Sequence, residues 1–162
     1  MLKFSNTLSP FAVGRRANSE EWNTYTKTME AASAATRLGF GVPVMPGAAR
    51  KTCSEIDATN GRRFLGITEA VPTLPRPGDE GFARYDEVPV MEWGVIGVQT
   101  EGNTTAGVAA RWNTATKRWT IAAQSATVVT IPGATFEETA VAPGIQLVRL
   151  RKTENPSLTV AG

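Results

Sequence analysis

From Leu38 onward the chain is built of short apolar runs separated by Gly, Pro, Asn and Asp, and this punctuation is the strongest constraint on its fold. Most of the 15 glycines and 10 prolines fall between the runs, where turns require them. Each run reads as strand material. The predicted strands are 39–45, 63–71, 88–98, 108–112, 119–123, 127–131 and 145–150. Short strands at this spacing predict a single small antiparallel β-barrel or sandwich.

Alternating apolar side chains on these strands supply the predicted core. Its members are Val42, Phe64, Leu65, Ile67, Val90, Val95, Val98, Ile121, Val129, Leu147 and Val148. The three prolines within residues 72–78 predict a stiff, extended excursion inside the barrel, because proline fixes φ and removes an amide donor.

The segment before Leu38 is predicted to be an arm and a connecting strand. Pro10 and Gly14 interrupt residues 1–18, which are too short for a core of their own. Residues 22–29 fit either an amphipathic helix capped by Ser19 or a strand, and their Thr and aromatic content favours the strand. The expected organisation is therefore an arm and strand over 1–37, a barrel over 38–152 and a tail over 153–162.

Composition limits the function. Of the 162 residues, 41% are hydrophobic and 20% charged, which is typical of one globular domain. The formal net charge of +2 gives no bulk attraction to nucleic acid or membrane. No apolar run reaches signal-peptide or membrane-span length, so the protein is expected in the cytosol of the cell that makes it. Cys53 stands alone in a polar stretch and is interpreted as an incidental thiol.

Catalysis is not expected. The chain has no histidine, which excludes Ser-His-Asp triads, Cys-His pairs and imidazole-bound zinc. The sequence 47–52 lacks the second glycine of a phosphate loop, and no cofactor or metal site is predicted. The adjacent acids at 79–80, 86–87 and 137–138 would point to opposite faces of a strand, which is poor geometry for a carboxylate pair.

Two tryptophans predict one hairpin in detail. Trp112 and Trp119 flank a polar loop of turn-forming residues, 113–118, which would place the indoles opposite each other across two strands. The pair is interpreted as a hairpin staple. The alternative is an exposed aromatic platform of a carbohydrate-binding or tail-associated adhesin module, and burial of the indoles would decide against it.

A series of short motifs resembles the structural cement proteins that decorate the capsids of tailed bacteriophages. Gly14-Arg15-Arg16-Ala17-Asn18 is similar to the family's glycine-x-x-alanine-aspartate arm segment, although Arg16 stands where an aliphatic residue is usual and Asn18 replaces the acid. The other matching segments, in chain order, are residues 28–32, 39–44, 64–68, 85–91, 131–136 and 144–150. Their order and spacing over residues 12–150 carry the resemblance.

The resemblance implies an accessory protein on the outer face of an icosahedral shell, commonly a homotrimer at threefold or quasi-threefold positions. Its expected partners are the major capsid protein and further copies of itself. The arm is hypothesised to dock on a neighbouring subunit, with a frayed terminus as the alternative. The residues expected to contact the capsid or another copy are Phe4, Phe11, Arg15, Arg16, Trp22 and Tyr25.

Overall fold

A computed structural model describes residues 12–17, 21–30, 36–59, 62–70, 81–153 and 156–159. Within these ranges the chain is entirely β, with nine strands and no helix. The strands are β1 (Asn23–Met29), β2 (Pro43–Pro46), β3 (Thr52–Glu55), β4 (Gly66–Thr68), β5 (Glu87–Gln99), β6 (Ala109–Asn113), β7 (Arg118–Thr120), β8 (Val128–Phe136) and β9 (Ile145–Leu150). No helix among the described residues could therefore cross a membrane. The predicted excursion at 72–78 lies outside them.

Five strands close into a barrel in the order β1-β3-β2-β4-β5, with β5 returning to β1. The prediction of a β-barrel is thus confirmed, and β1 confirms a strand rather than a helix near residues 22–29. The expectation of purely antiparallel pairing is wrong at one seam, because β1 and β3 are parallel. A closed ring with an odd number of strands cannot alternate direction all the way round, so one parallel pair is unavoidable.

The other four strands form a second sheet that grows from the far half of β5. Residues Gly94–Gln99 pair with β9, and β8, β6 and β7 follow in that order. The pairing of β5 passes from β1 to β9 between Trp93 and Gly94, and φ at Gly94 is 137°. A Cβ there would lie 3.0 Å from the Cβ of Trp22 and 3.1 Å from the sulfur of Met91. The long strand can change sheets at this point because glycine leaves that space open.

Two apolar clusters form the core. The smaller cluster fills the barrel, and its buried members are Met29, Leu38, Val44, Cys53, Leu65, Phe82, Val88 and Val90. The larger one joins the barrel wall to the second sheet and contains the indoles of Trp112 and Trp119.

Eight of the eleven predicted core residues are buried, and Val42 and Ile121 are half-buried against the larger cluster. Leu147 is only half-buried, so its assignment to the core is wrong. Val148 and Leu150 face inward, and alternation along β9 turns Leu147 to the other face.

The strand β3 was not predicted, because Thr52, Ser54 and Glu55 make its sequence polar. Its Cys53 is nevertheless fully buried, although the stretch around it is polar. Burial raises the pKa of the Cys53 thiol to about 11. Cys53 therefore acts as a small apolar core residue.

The tryptophan hairpin is confirmed. Trp112 and Trp119 are directly opposite each other on β6 and β7, and their ring centroids lie 5.7 Å apart at an interplanar angle of 70°. Asn113 also pairs with Arg118, so the connecting loop is shorter than the predicted 113–118. The Oδ1 of Asn113 accepts a hydrogen bond of 3.0 Å from the amide of Ala115, which is typical of Asn at a turn.

Candidate interaction surface

The last part of the N-terminal arm is hydrogen-bonded to the second half of β5. The amide of Gly14 donates to the Gly97 carbonyl at 2.7 Å, the Gly97 amide returns a bond to Arg15 at 2.9 Å, and Ala17 donates to Val95 at 3.0 Å. Residues 12–17 are therefore part of the folded unit, and frayed-terminus behaviour is wrong for them. Arg15 is exposed beside this ladder. Phe4 and Phe11 lie outside the described residues.

Arg16 links three elements of the fold through its guanidinium. Its Nε lies 2.8 Å from the Oε1 of Glu69, whose side chain is 8% exposed. Its Cζ lies 3.5 Å above the ring of Trp22. Thr24 donates to the other carboxylate oxygen of Glu69 at 2.5 Å. A buried carboxylate is stable only when it is paired and hydrogen-bonded, so Glu69 holds Arg16 in place and Arg16 in turn holds the indole.

Trp22 is the exposed element of this arrangement, with 44% of its surface accessible. Its Cβ also lies close to Gly94. Beside it is a shallow depression of about 490 Å³ that Arg15, Arg16, Trp22 and Pro89 help to line. A large aromatic side chain that is fixed before binding loses little conformational freedom on docking, and Trp and Arg are the commonest residues of binding hot spots. The structure therefore brings Arg15, Arg16 and Trp22 together.

Tyr25 lies on β1 and has mainly a structural role. Its hydroxyl donates to the Leu65 carbonyl at 2.9 Å. Burial, with a smaller contribution from the negative charge of Glu92, raises the pKa of Tyr25 to about 12. The ring also lines a second, smaller pocket, whose other walls include Arg63, Arg151 and Lys152.

Neither Glu69 nor these three cations could be recognised as site residues from the sequence. The basic doublets 62–63 and 151–152 are visible in the sequence but are far apart in it. The structure brings Arg63 together with Arg151 and Lys152 in this pocket. Beside it, Arg63 pairs with Ser157 and the Phe64 amide donates to Pro156 at 2.6 Å.

The tryptophan platform is ruled out by burial. Trp112 is 1% exposed and Trp119 is 0% exposed. The Nε1 of Trp119 donates to the Gly41 carbonyl at 2.7 Å inside the protein. Neither ring can stack on a sugar, so the adhesin interpretation built on these residues is wrong.

Two residues of the adjacent acidic pairs make structural contacts. The carboxylate of Asp86 accepts a bond of 2.7 Å from the Ala83 amide. Glu137 forms an ion pair of 2.7 Å with Arg149, and this contact lowers the pKa of the Glu137 carboxyl. The acids at 79–80 lie outside the described residues. Among the described side chains there is no group of three or more His, Cys, Asp or Glu that could hold a metal ion.

Comparison with known proteins identifies relatives of this architecture. The model of a family described as "Structural cement protein (E217 gp24/Pam3 gp6)" matches residues 3–151. Among solved structures, a chain of "The capsid of Myoviridae Phage XM1" superposes with a TM-score of 0.72 at 17% sequence identity, over 93% of this chain and 99% of that one. At this identity the likeness shows a shared fold. No curated protein matches significantly.

Proposed function

Because this chain belongs to the structural cement protein family, we propose that it decorates the capsid of a tailed bacteriophage. In this proposal it binds the outer surface of the shell and bridges adjacent major capsid subunits. It thereby adds contacts to interfaces that are strained by the packaged genome. The observation that carries the proposal is the family match, which spans residues 3–151 and thus both sheets. The role is mechanical and requires no catalytic group or cofactor.

We assign the capsid contact to the surface around Trp22. About 100 Å² of this indole is open to a partner, which corresponds to about 2.5 kcal/mol if all of it is buried. That free energy changes an affinity by roughly 70-fold. Arg15 and Arg16 lie beside the indole, and Tyr25 lies on β1, the strand that follows Trp22. Phe4 and Phe11 are proposed to reach a neighbouring subunit.

The proposed assembly is a homotrimer at threefold or quasi-threefold positions. One oligomer would engage several symmetry-related sites at once, so a modest contact at each site gives tight overall attachment through effective concentration. Light scattering coupled to size exclusion tests the oligomer directly. A trimer has three times the chain mass of 17.3 kDa, whereas a single-chain mass in solution at all concentrations would contradict it.

Co-sedimentation with undecorated capsids tests the contact surface. Trp22→Ala should raise the protein concentration needed for half-occupancy of the shells by one to two orders of magnitude, in line with the free energy of burying the indole. Tyr85→Ala is the matched control, because Tyr85 is 71% exposed and also lies under an arginine, Arg84, at 4.8 Å. Equal binding by both variants would show that Trp22 does not contribute to the interface. Failure of the wild-type protein to pellet with shells would refute the decoration role itself.

Two truncations test the arm. Deleting residues 2–11 should abolish or weaken attachment at an unchanged melting temperature, since the deletion leaves the hydrogen bonds of Gly14, Arg15 and Ala17 to β5 intact. Deleting residues 2–18 should also lower the melting temperature, because those bonds and the Arg16–Glu69 ion pair are lost. Full occupancy by the shorter deletion would show that the barrel alone holds the shell.

A further inference from the structure

A cationic pocket lies on the surface next to Tyr25. Arg63, Arg151 and Lys152 line it, together with Phe64, Pro132 and Pro156, and its volume is about 190 Å³. All three cationic side chains belong to exposed residues. The pocket therefore combines apolar walls with a cationic rim.

The observed contacts of the nearest carboxylates in the described ranges are with residues other than the three cations of the pocket. The Oε2 of Glu92, in the wall of the pocket, accepts a bond of 2.9 Å from the Asn23 side chain. Arg151 contributes to the lowered pKa of Glu137, but the ion pair of Glu137 is with Arg149. Within the described part of the chain, none of Arg63, Arg151 and Lys152 forms an ion pair or a hydrogen bond through its side chain. Three cations on one rim repel one another, and an acidic partner would relieve that repulsion.

We propose that this pocket, defined by Arg63, Arg151 and Lys152, receives an Asp or Glu side chain from an acidic segment of a partner protein. Guanidinium groups bind carboxylates through two parallel hydrogen bonds, and the walls of Phe64 and Pro156 suit the aliphatic stem of such a residue. The inference deepens the proposed function, on which it rests for the identity of the partner: an acidic surface segment of the major capsid protein.

The shape and charge of the pocket favour a protein segment over nucleic acid. A volume of about 190 Å³ admits one or two side chains rather than a tract of phosphodiester backbone. The net charge of +2 gives no long-range attraction to a nucleic-acid polyanion.

The first test uses fluorescein-labelled decaglutamate and a single-stranded deoxyribonucleotide of equal charge as probes, with anisotropy as the readout on the full-length protein. The pocket variant is Arg63→Gln with Arg151→Gln. The matched control is Arg50→Gln with Arg118→Gln, which removes the same charge from two exposed sites elsewhere. Removal of both pocket cations should weaken decaglutamate binding about tenfold, while the control changes it less than about twofold. Equal loss in both variants, tighter binding of the oligonucleotide, or no binding of decaglutamate would overturn the proposal.

The second test separates this inference from the proposed function. Both double variants and Trp22→Ala are mixed with undecorated capsids at low and high salt, after melting curves confirm that each is folded. The pocket variant should bind more weakly than the control at low salt, and high salt should remove the difference between them. Wild-type occupancy by the pocket variant, with Trp22→Ala defective, would refute the acidic-segment inference and leave decoration standing. If decaglutamate binding depends on the pocket but the wild-type protein does not bind shells, the decoration role would be refuted and the pocket inference would stand.

Discussion

Trp119→Phe should be among the most destabilising conservative substitutions in this chain. Trp119 is fully buried, and its Nε1 donates to the carbonyl of Gly41, a buried residue on the approach to β2. Phenylalanine keeps a ring but loses this donor, which leaves a buried carbonyl without its partner at a cost of about 1–3 kcal/mol. The weaker contact with Trp112 costs about 0.5–1.5 kcal/mol more. The expected loss is therefore roughly 2–4 kcal/mol out of a typical total of about 5–15 kcal/mol.

Equilibrium unfolding in urea, followed by far-ultraviolet circular dichroism, measures this loss without relying on the fluorophore that is removed. At a slope of about 2 kcal/mol per molar urea, the midpoint should fall by roughly 1–2 M. Trp22→Phe serves as the control: its side chain is 44% exposed, and the change should stay within about 0.5 kcal/mol. A loss below about 1 kcal/mol for Trp119→Phe, or equal losses for the two variants, would show that the indole does not join the second sheet to the barrel.

Three further substitutions or reactions address other contacts. The hydrogen bond from Thr52 lowers the pKa of Glu30. The contribution of this hydrogen bond to stability should therefore be present above pH 4.5, the ordinary pKa, and disappear as the pH falls through the lowered pKa. The difference in melting temperature between wild type and Glu30→Gln should accordingly shrink in acid. Cys53, with its pKa raised to about 11, should resist thiol reagents at mildly alkaline pH until denaturant is added, and rapid reaction of the native protein would contradict its burial. Gly94→Ala should destabilise by about 1–3 kcal/mol in urea unfolding, because φ is 137° there and the new methyl meets Trp22.

The strands with dense apolar content could be predicted from the sequence, because alternation on a half-buried surface leaves a local signal. The Trp112–Trp119 register was also predictable, because a short polar loop between two strands allows few alignments. The strand β3 left no such signal. Only Cys53 in it is apolar, and its burial depends on pairing with the preceding strand β2 and with β1, which lies farther away in the chain.

The family resemblance was likewise predictable from motif order, and the match over residues 3–151 confirms it. The contact surface was predictable only in part. Aromatic and arginine content in the first 25 residues indicated Arg16 and Trp22, but the carboxylate that orders them is Glu69, which follows β4. Nothing local to Glu69 marks it, because its role depends on the pairing of β1 with β5 and of Arg16 with Ile96.

The position of Trp22 connects the fold to the proposed attachment. Asn23, the next residue, pairs with Trp93, and the indole lies beside Gly94, where β5 passes from one sheet to the other. Its conformation is thus set by both sheets and by Arg16, so binding need not order it. A substitution that disturbs the backbone at Gly94 should consequently weaken attachment even where it leaves the exposed surface chemically unchanged. Gly94→Ala should lower capsid occupancy more than its loss of stability predicts. A Trp119 variant of equal stability should lose only the occupancy that its stability predicts.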